Sequence, residues 1–214
     1  MGAGASAKQM KGTETEIINL MMPLYYIAEP NVTVRDTTTC MSVWNAILDD
    51  ATPQYILTKD KPGFTFPSCR VWFYNVFYER LFDIHPLSRP LFTNGVDSIG
   101  TFLVKMISIS LNQCDDKPKF HKAMVELAER HCERGVKAVE YGIIGDVLFY
   151  TLEITAGALY TPPVEACWKK VFSSMLAIIV PLVVGYERKG LVKRTGPREV
   201  SETNDHHLAN TGVK

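Results

Sequence analysis

Apolar residues recur every three or four positions along most of this chain. From Ser68 to Ile84, the spacing of Phe73, Val76, Phe77, Leu81 and Ile84 predicts a helix that is apolar almost all round, and therefore central. His85-Pro86 ends it, because the residue before a proline is pushed out of the α region. Val96, Ile99, Leu103, Met106 and Ile107 predict the next helix, over about Asp97 to Leu111, with Asp97 or Ser98 as its cap. After Asp115-Asp116-Lys117-Pro118 comes a helix whose apolar stripe is Phe120, Met124, Leu127 and His131, at spacings of 4, 3 and 4 residues. Two longer helices follow, Val139 to Ala156 and Val164 to about Tyr186; Pro162-Pro163 suits the first turn of the second, and Pro181 predicts a kink in it. Upstream, Val43, Trp44, Ile47 and Leu48 predict a helix starting at Thr37 to Thr39 and stopping before Pro53. The stretch from Pro53 to Pro67 reads as a loop, and residues 1 to 36 as a tail whose apolar patch, Ile17 to Ile27, forms a short docking helix. No strand-like alternation and no internal repeat interrupts this pattern. The class is all-α, organised as an extension (1–36), a helical domain (37–190) and a polar, partly basic tail (191–214).

Charge and composition narrow the picture. The 214 residues carry 23 basic and 23 acidic side chains, and 46% are hydrophobic. That fits one globular domain with extensions; it is too neutral for a protein that reads nucleic acid through phosphates and too apolar for a disordered chain. No nucleic-acid partner is expected. Five cysteines without a CxxC pair signal neither a disulfide framework nor a zinc cluster, so reduced thiols in the cytoplasm are the plain reading. The longest apolar run, Met175 to Val184, has 10 residues and contains Pro181, whereas a spanning helix needs roughly 18.

The start, Met1-Gly2-Ala3-Gly4-Ala5-Ser6, fits the N-myristoylation pattern, with the Gly2 amine as acceptor. A single such chain binds membranes marginally, so a second signal is needed. Arg188, Lys189, Lys193, Arg194 and Arg198, with no acid between them, offer one toward anionic lipid; a solvated tail is the alternative. The expected location is the inner face of a membrane, peripherally attached. His206 and His207, in the polar tail, and His121, on the solvent side of its helix, read as solvated.

The chemistry centres on His131, the one ionisable residue aimed clearly into the apolar interior. A neutral imidazole there can ligate haem iron through one nitrogen while its other N–H is held, and Phe92, Leu103, Met106 and Val136 would wall a porphyrin. A histidine satisfied within the core is the alternative. Cys132 beside it reads as packing rather than as a redox thiol.

Over about residues 68 to 187 the sequence resembles the globins, particularly single-domain bacterial haemoglobins and the globin part of flavohaemoglobins. The resemblance rests on Phe77-Tyr78-Glu79-Arg80-Leu81-Phe82, His85-Pro86, Arg89-Pro90-Leu91-Phe92, Arg130-His131-Cys132, Gly135-Val136, Tyr141 and Ile143-Ile144-Gly145. It implies the three-over-three globin sandwich around haem b, with His131 as proximal iron ligand and Phe92 packed on the porphyrin. It further implies that Tyr78 donates a hydrogen bond to the bound gas. The distal position falls at Phe102, where the family usually has His or Gln; Met106 lies one turn on, and Lys105 is placed to reach a propionate. Tyr141 matches a tyrosine of the proximal network, but the position of that network's glutamate holds Val183. The implied function is reversible binding of O2, NO or CO by a membrane-tethered globin, for oxygen sensing or redox signalling. NO dioxygenase or nitrite reductase activity with an external reductase is one alternative, and a haem-free globin-like regulator is another.

Overall fold

The structure is a computed structural model and describes residues 15–92 and 95–193. The Gly2 acylation pattern and His206 and His207 lie outside them. Eight α-helices run through the described residues: α1 (residues 15–21), α2 (Val34–Leu48), α3 (Pro53–Thr58), α4 (Cys69–Ile84), α5 (Val96–Gln113), α6 (Lys117–Glu133), α7 (Glu140–Ala156) and α8 (Pro162–Arg188). A 3-10 segment, Pro86–Leu91, turns the chain out of α4, and no strand occurs among the described residues.

Local chemistry sets most boundaries where the pattern put them. Ser68 caps α4 through its side chain, and Asp116 does the same for α6. Three boundaries differ from expectation. α2 begins at Val34, because Thr33 and Asp36 form a reciprocal capping box one turn ahead of the apolar stripe. Part of the expected loop after Pro53 is helical: the buried Thr52 caps α3 by accepting from the Tyr55 N–H. Finally, α5 starts at Val96 after Gly95, which has no side chain to cap it, and the Asp97 carboxylate is engaged by the Tyr74 hydroxyl at 2.7 Å.

The helix at the centre, α4, packs on α2, α5 and α7, while α8 lies across α6, α2 and α7. Trp44, Phe73, Phe77, Leu81, Met124, Leu152 and Ile179 are fully buried between them, each contributing roughly 1.5–3 kcal/mol by leaving water. By length and composition the chain from Glu140 to Leu159 and α8 would each cross a bilayer, but half of each is buried inside this packing. The segment from α1 to Val32 folds back onto the bundle: Ile17, Ile18, Met21, Met22, Tyr25 and Tyr26 pack on the core, while Leu20 and Leu24 stay exposed. Between α4, α5, α6, α7 and α8 the helices leave a cavity of about 390 Å³.

Candidate functional site

His131 lines this cavity, and the way α6 ends fixes its backbone. The last turn closes in a Schellman motif: the Gly135 N–H reaches the Cys132 carbonyl at 3.1 Å and the Val136 N–H reaches the His131 carbonyl at 3.0 Å. That motif needs a left-handed residue just beyond the helix, and Gly135, with φ of 86°, supplies it. The ring is fixed separately, by a 3.0 Å hydrogen bond between His131 Nδ1 and the Tyr141 hydroxyl. Burial, reinforced by Arg134 and Arg130, lowers the imidazole pKa to about 4, so the ring is neutral at pH 7. A neutral ring with Nδ1 engaged leaves Nε2 as the nitrogen able to donate an electron pair. With Nε2 so used, Nδ1 carries the proton and donates to Tyr141. Burial also raises the Tyr141 phenol well above its ordinary range, with Cys132, Glu140 and Glu187 adding to the shift, so it stays protonated.

Across the cavity the wall is apolar. Phe92, Ile99, Phe102, Leu103 and Met106 line it, with Val136, Ile144 and Met175 on other sides. Phe92 is braced edge-on against Tyr78 and Phe82, with ring centroids 5.3 and 5.5 Å away. Phe102 is 42% exposed while still lining the cavity, which puts it at the rim. Tyr78 is buried among the lining residues and donates its hydroxyl hydrogen to the Ile99 carbonyl at 3.2 Å. Burial alone raises its pKa, so here too the phenol keeps its proton.

The structure thus brings His131, Phe92, Phe102, Met106, Val136, Tyr141 and Tyr78 to one cavity. Lys105 is exposed and does not line it, whereas Arg134 does. Sequence reasoning passed over Arg134, although it lies one turn beyond the histidine. It also passed over His85 and Glu140, which meet at 2.9 Å on the cavity wall; His85-Pro86 had signalled only the end of a helix. Cys132 is buried, and burial pushes its thiol to about 11, which fits packing over reactivity.

These residues fit a haem. The imidazole of His131 on the cavity wall offers one ligand nitrogen, which suits a metal whose other ligands come from a macrocycle. Apolar walls on both sides and a second-sphere hydrogen bond on Nδ1 meet the remaining demands of such a ligand.

Comparison with known proteins agrees. Residues 75–179 match the family model described as Globin, an interval that contains every cavity residue named above. Among curated relatives, Neuroglobin of Chaenocephalus aceratus is 25% identical over 120 residues, covering 48% of this chain and 73% of the relative. Neuroglobin-2 of Oncorhynchus mykiss is 23% identical over 120 residues with the same coverage. Neuroglobin of Tetraodon nigroviridis is 26% identical over 91 residues, 42% of this chain and 55% of that protein.

Proposed function

From the globin-family domain that this chain carries over residues 75–179, we infer a haem b protein that binds a diatomic gas reversibly. When bound, haem would supply a ferrous iron able to take up O2, NO or CO. Everything else is the work of the chain. His131 offers Nε2 as the proximal ligand, and Tyr141 holds the ring through Nδ1 at 3.0 Å. Phe92, Met106 and Val136 give the porphyrin apolar faces and exclude water. Tyr78, which lines the cavity with its hydroxyl on the Ile99 carbonyl at 3.2 Å, would be the distal donor. Phe102, standing where a histidine or glutamine is usual in the family, brings no hydrogen bond of its own and shields the rim.

The observation that carries this reading is His131, neutral and tied through Nδ1 on the wall of an apolar cavity. The physiological role we propose is oxygen sensing or redox signalling at the inner face of a membrane, with Gly2 acylated and the basic residues from Arg188 onward as second contact. A tether favours local signalling over bulk storage. The bond between Tyr141 and His131 supports a second reading, NO dioxygenase or nitrite reductase activity with an external reductase, because a histidine hydrogen-bonded through Nδ1 is the more basic ligand. Sustained NO consumption or nitrite reduction with a reductase present would favour it; a single stoichiometric reaction would not.

Absorption spectra of the reconstituted protein and of His131→Ala, in ferric, ferrous and CO-bound forms, test the central claim. The expected outcome is one haem per chain and a CO-reactive ferrous form, with the Soret band lost or altered in the variant. A wild-type chain that takes up no stoichiometric haem would overturn it in favour of a haem-free regulator.

A further inference from the structure

The residue that steadies the proximal histidine stands on a helix turn that its own sequence leaves uncapped. α7 begins after Val139, which has no oxygen-bearing side chain, and no side-chain cap bond closes that end. One local bond and three from elsewhere hold this end of the helix. Glu140 is bound by His85 at 2.9 Å and by the Lys137 N–H at 2.7 Å, and the Ala138 N–H donates to Glu187 at 2.9 Å. The fourth hold comes from the far N-terminal segment: the Tyr25 hydroxyl donates to the Gly142 carbonyl at 2.9 Å, one residue beyond Tyr141.

The seat for Tyr25 is built into α7. A methyl group at Gly145 would overlap the Tyr25 hydroxyl and the Phe172 ring, so only glycine leaves room there. A methyl group at Gly142 would sit 3.3 Å from Pro23. The ring of Tyr25 stands edge-on to Phe149 at 5.0 Å and tilted against Phe172 at 6.2 Å, and Phe172 is itself a wall of the cavity. Beyond it the Ile27 N–H donates to Ser173 Oγ at 3.1 Å, pinning the same segment to α8. The N-terminal strap therefore touches the helix that carries Tyr141 and a ring that lines the site, both through Tyr25.

We propose that Tyr25 is a positioning residue for the haem site: seated in the Gly142–Gly145 slot, it fixes the first turn of α7 and so the hydrogen bond between His131 Nδ1 and Tyr141. The proposal rests on the globin reading for its consequence but not for its geometry. Release of residues 15–32 from the slot would loosen the proximal histidine, which makes the segment a route by which events at the N-terminus reach the iron ligand.

The test uses the full chain and two readouts. In the haem-free protein with ¹⁵N-labelled histidine, at one fixed pH, the Nδ1 shift of His131 reports its hydrogen bond, assigned by comparison with His131→Ala. Tyr141→Phe defines the shift when that bond is lost. Tyr25→Ala and Gly145→Ala are expected to move the signal in the same direction and part of the way, with protease cleavage between residues 15 and 32 rising roughly tenfold. Tyr25→Phe, which keeps the ring in the slot but removes the bond to the Gly142 carbonyl, is expected to keep the segment protected and to move the signal in the same direction by less than Tyr25→Ala. In the reconstituted protein the iron–histidine stretching band should follow the same order. A signal unmoved while the segment is cleaved freely would overturn the proposal, reducing Tyr25 to simple packing. A segment that stays protected in Tyr25→Ala would overturn it as well, since Tyr25 would not be what seats it. Failure to load haem would sink the functional reading yet leave the haem-free NMR result to decide this one.

Discussion

A phenol survives in an apolar cavity only while its hydroxyl has an acceptor, and Tyr78 has one in the Ile99 carbonyl. At 3.2 Å that bond is longer than is usual for a hydroxyl donor, so the hydroxyl gives up little on turning to a more demanding partner. The position is accordingly poised rather than committed. Tyr78→Phe keeps the ring against Phe77, Phe82 and Phe92 and removes only the donor. Losing a hydrogen bond to a charged or strongly polarised acceptor costs about 1.5–3 kcal/mol, so O2 dissociation should quicken by roughly 10- to 100-fold, with CO dissociation little changed, measured by stopped-flow ligand replacement. Equal effects on both gases would show that Tyr78 acts by packing. His131 was legible in the sequence because helical spacing places it on an inward stripe, whereas Tyr78 and Phe92 were marked by the resemblance to globins: Tyr78 lies off the stripe of its helix and Phe92 follows a 3-10 turn. Arg134, on the cavity wall but exposed, carries no such mark, as a cation after a helix end is ordinary in solvent.

Between elements, legibility fell with the distance along the chain over which partners meet. The helices themselves were readable from period and proline, whereas the contacts that lock them together join Tyr25 to Gly142, His85 to Glu140 and Asp36 to Lys170, separated by 117, 55 and 134 positions. Asp36 shows what such contacts do. It closes the capping box of α2 with Thr33, at 2.9 Å from its N–H and 2.7 Å from its hydroxyl, and takes Lys170 of α8 at 3.0 Å. Burial by itself would raise this carboxyl's pKa. The Thr33 bonds, Lys170 and Cys167 together outweigh it and hold the group far below the ordinary carboxylate range. A carboxylate depressed in the folded state contributes stability that is present above its ordinary titration near pH 4 and is lost as pH falls below it. Asp36→Asn should lower stability at pH 7 by about 1–3 kcal/mol in urea unfolding, with the difference shrinking as the solution is acidified. A constant difference down to strongly acid pH would mean that the charge of Asp36 is not what ties α2 to α8.

For the molecule as a whole, a buried neutral imidazole is a liability in acid. His131 is neutral in the fold, with its pKa lowered to about 4 by burial and by Arg134 and Arg130, while an unfolded chain lets it protonate near 6.5. Between those two values the unfolded state binds more protons, so unfolding becomes easier as pH falls from about 6.5 toward 4, and this group adds no further loss below that. The shift corresponds to on the order of 3 kcal/mol at most, a large share of an ordinary domain's stability. The haem-free chain should therefore show a urea midpoint that declines steadily across that window, before the acid loss due to Asp36 begins. His131→Phe should flatten this decline while leaving the lower one in place. On the proposed reading haem would change the balance, because a ligand that binds only the folded chain adds stability in proportion to the logarithm of its concentration over its dissociation constant, and it would engage the nitrogen that acid protonates. The reconstituted protein should hold its midpoint through pH 5 and then lose haem and fold together. Equal decline with and without haem would mean that Nε2 of His131 is not the group the cofactor occupies.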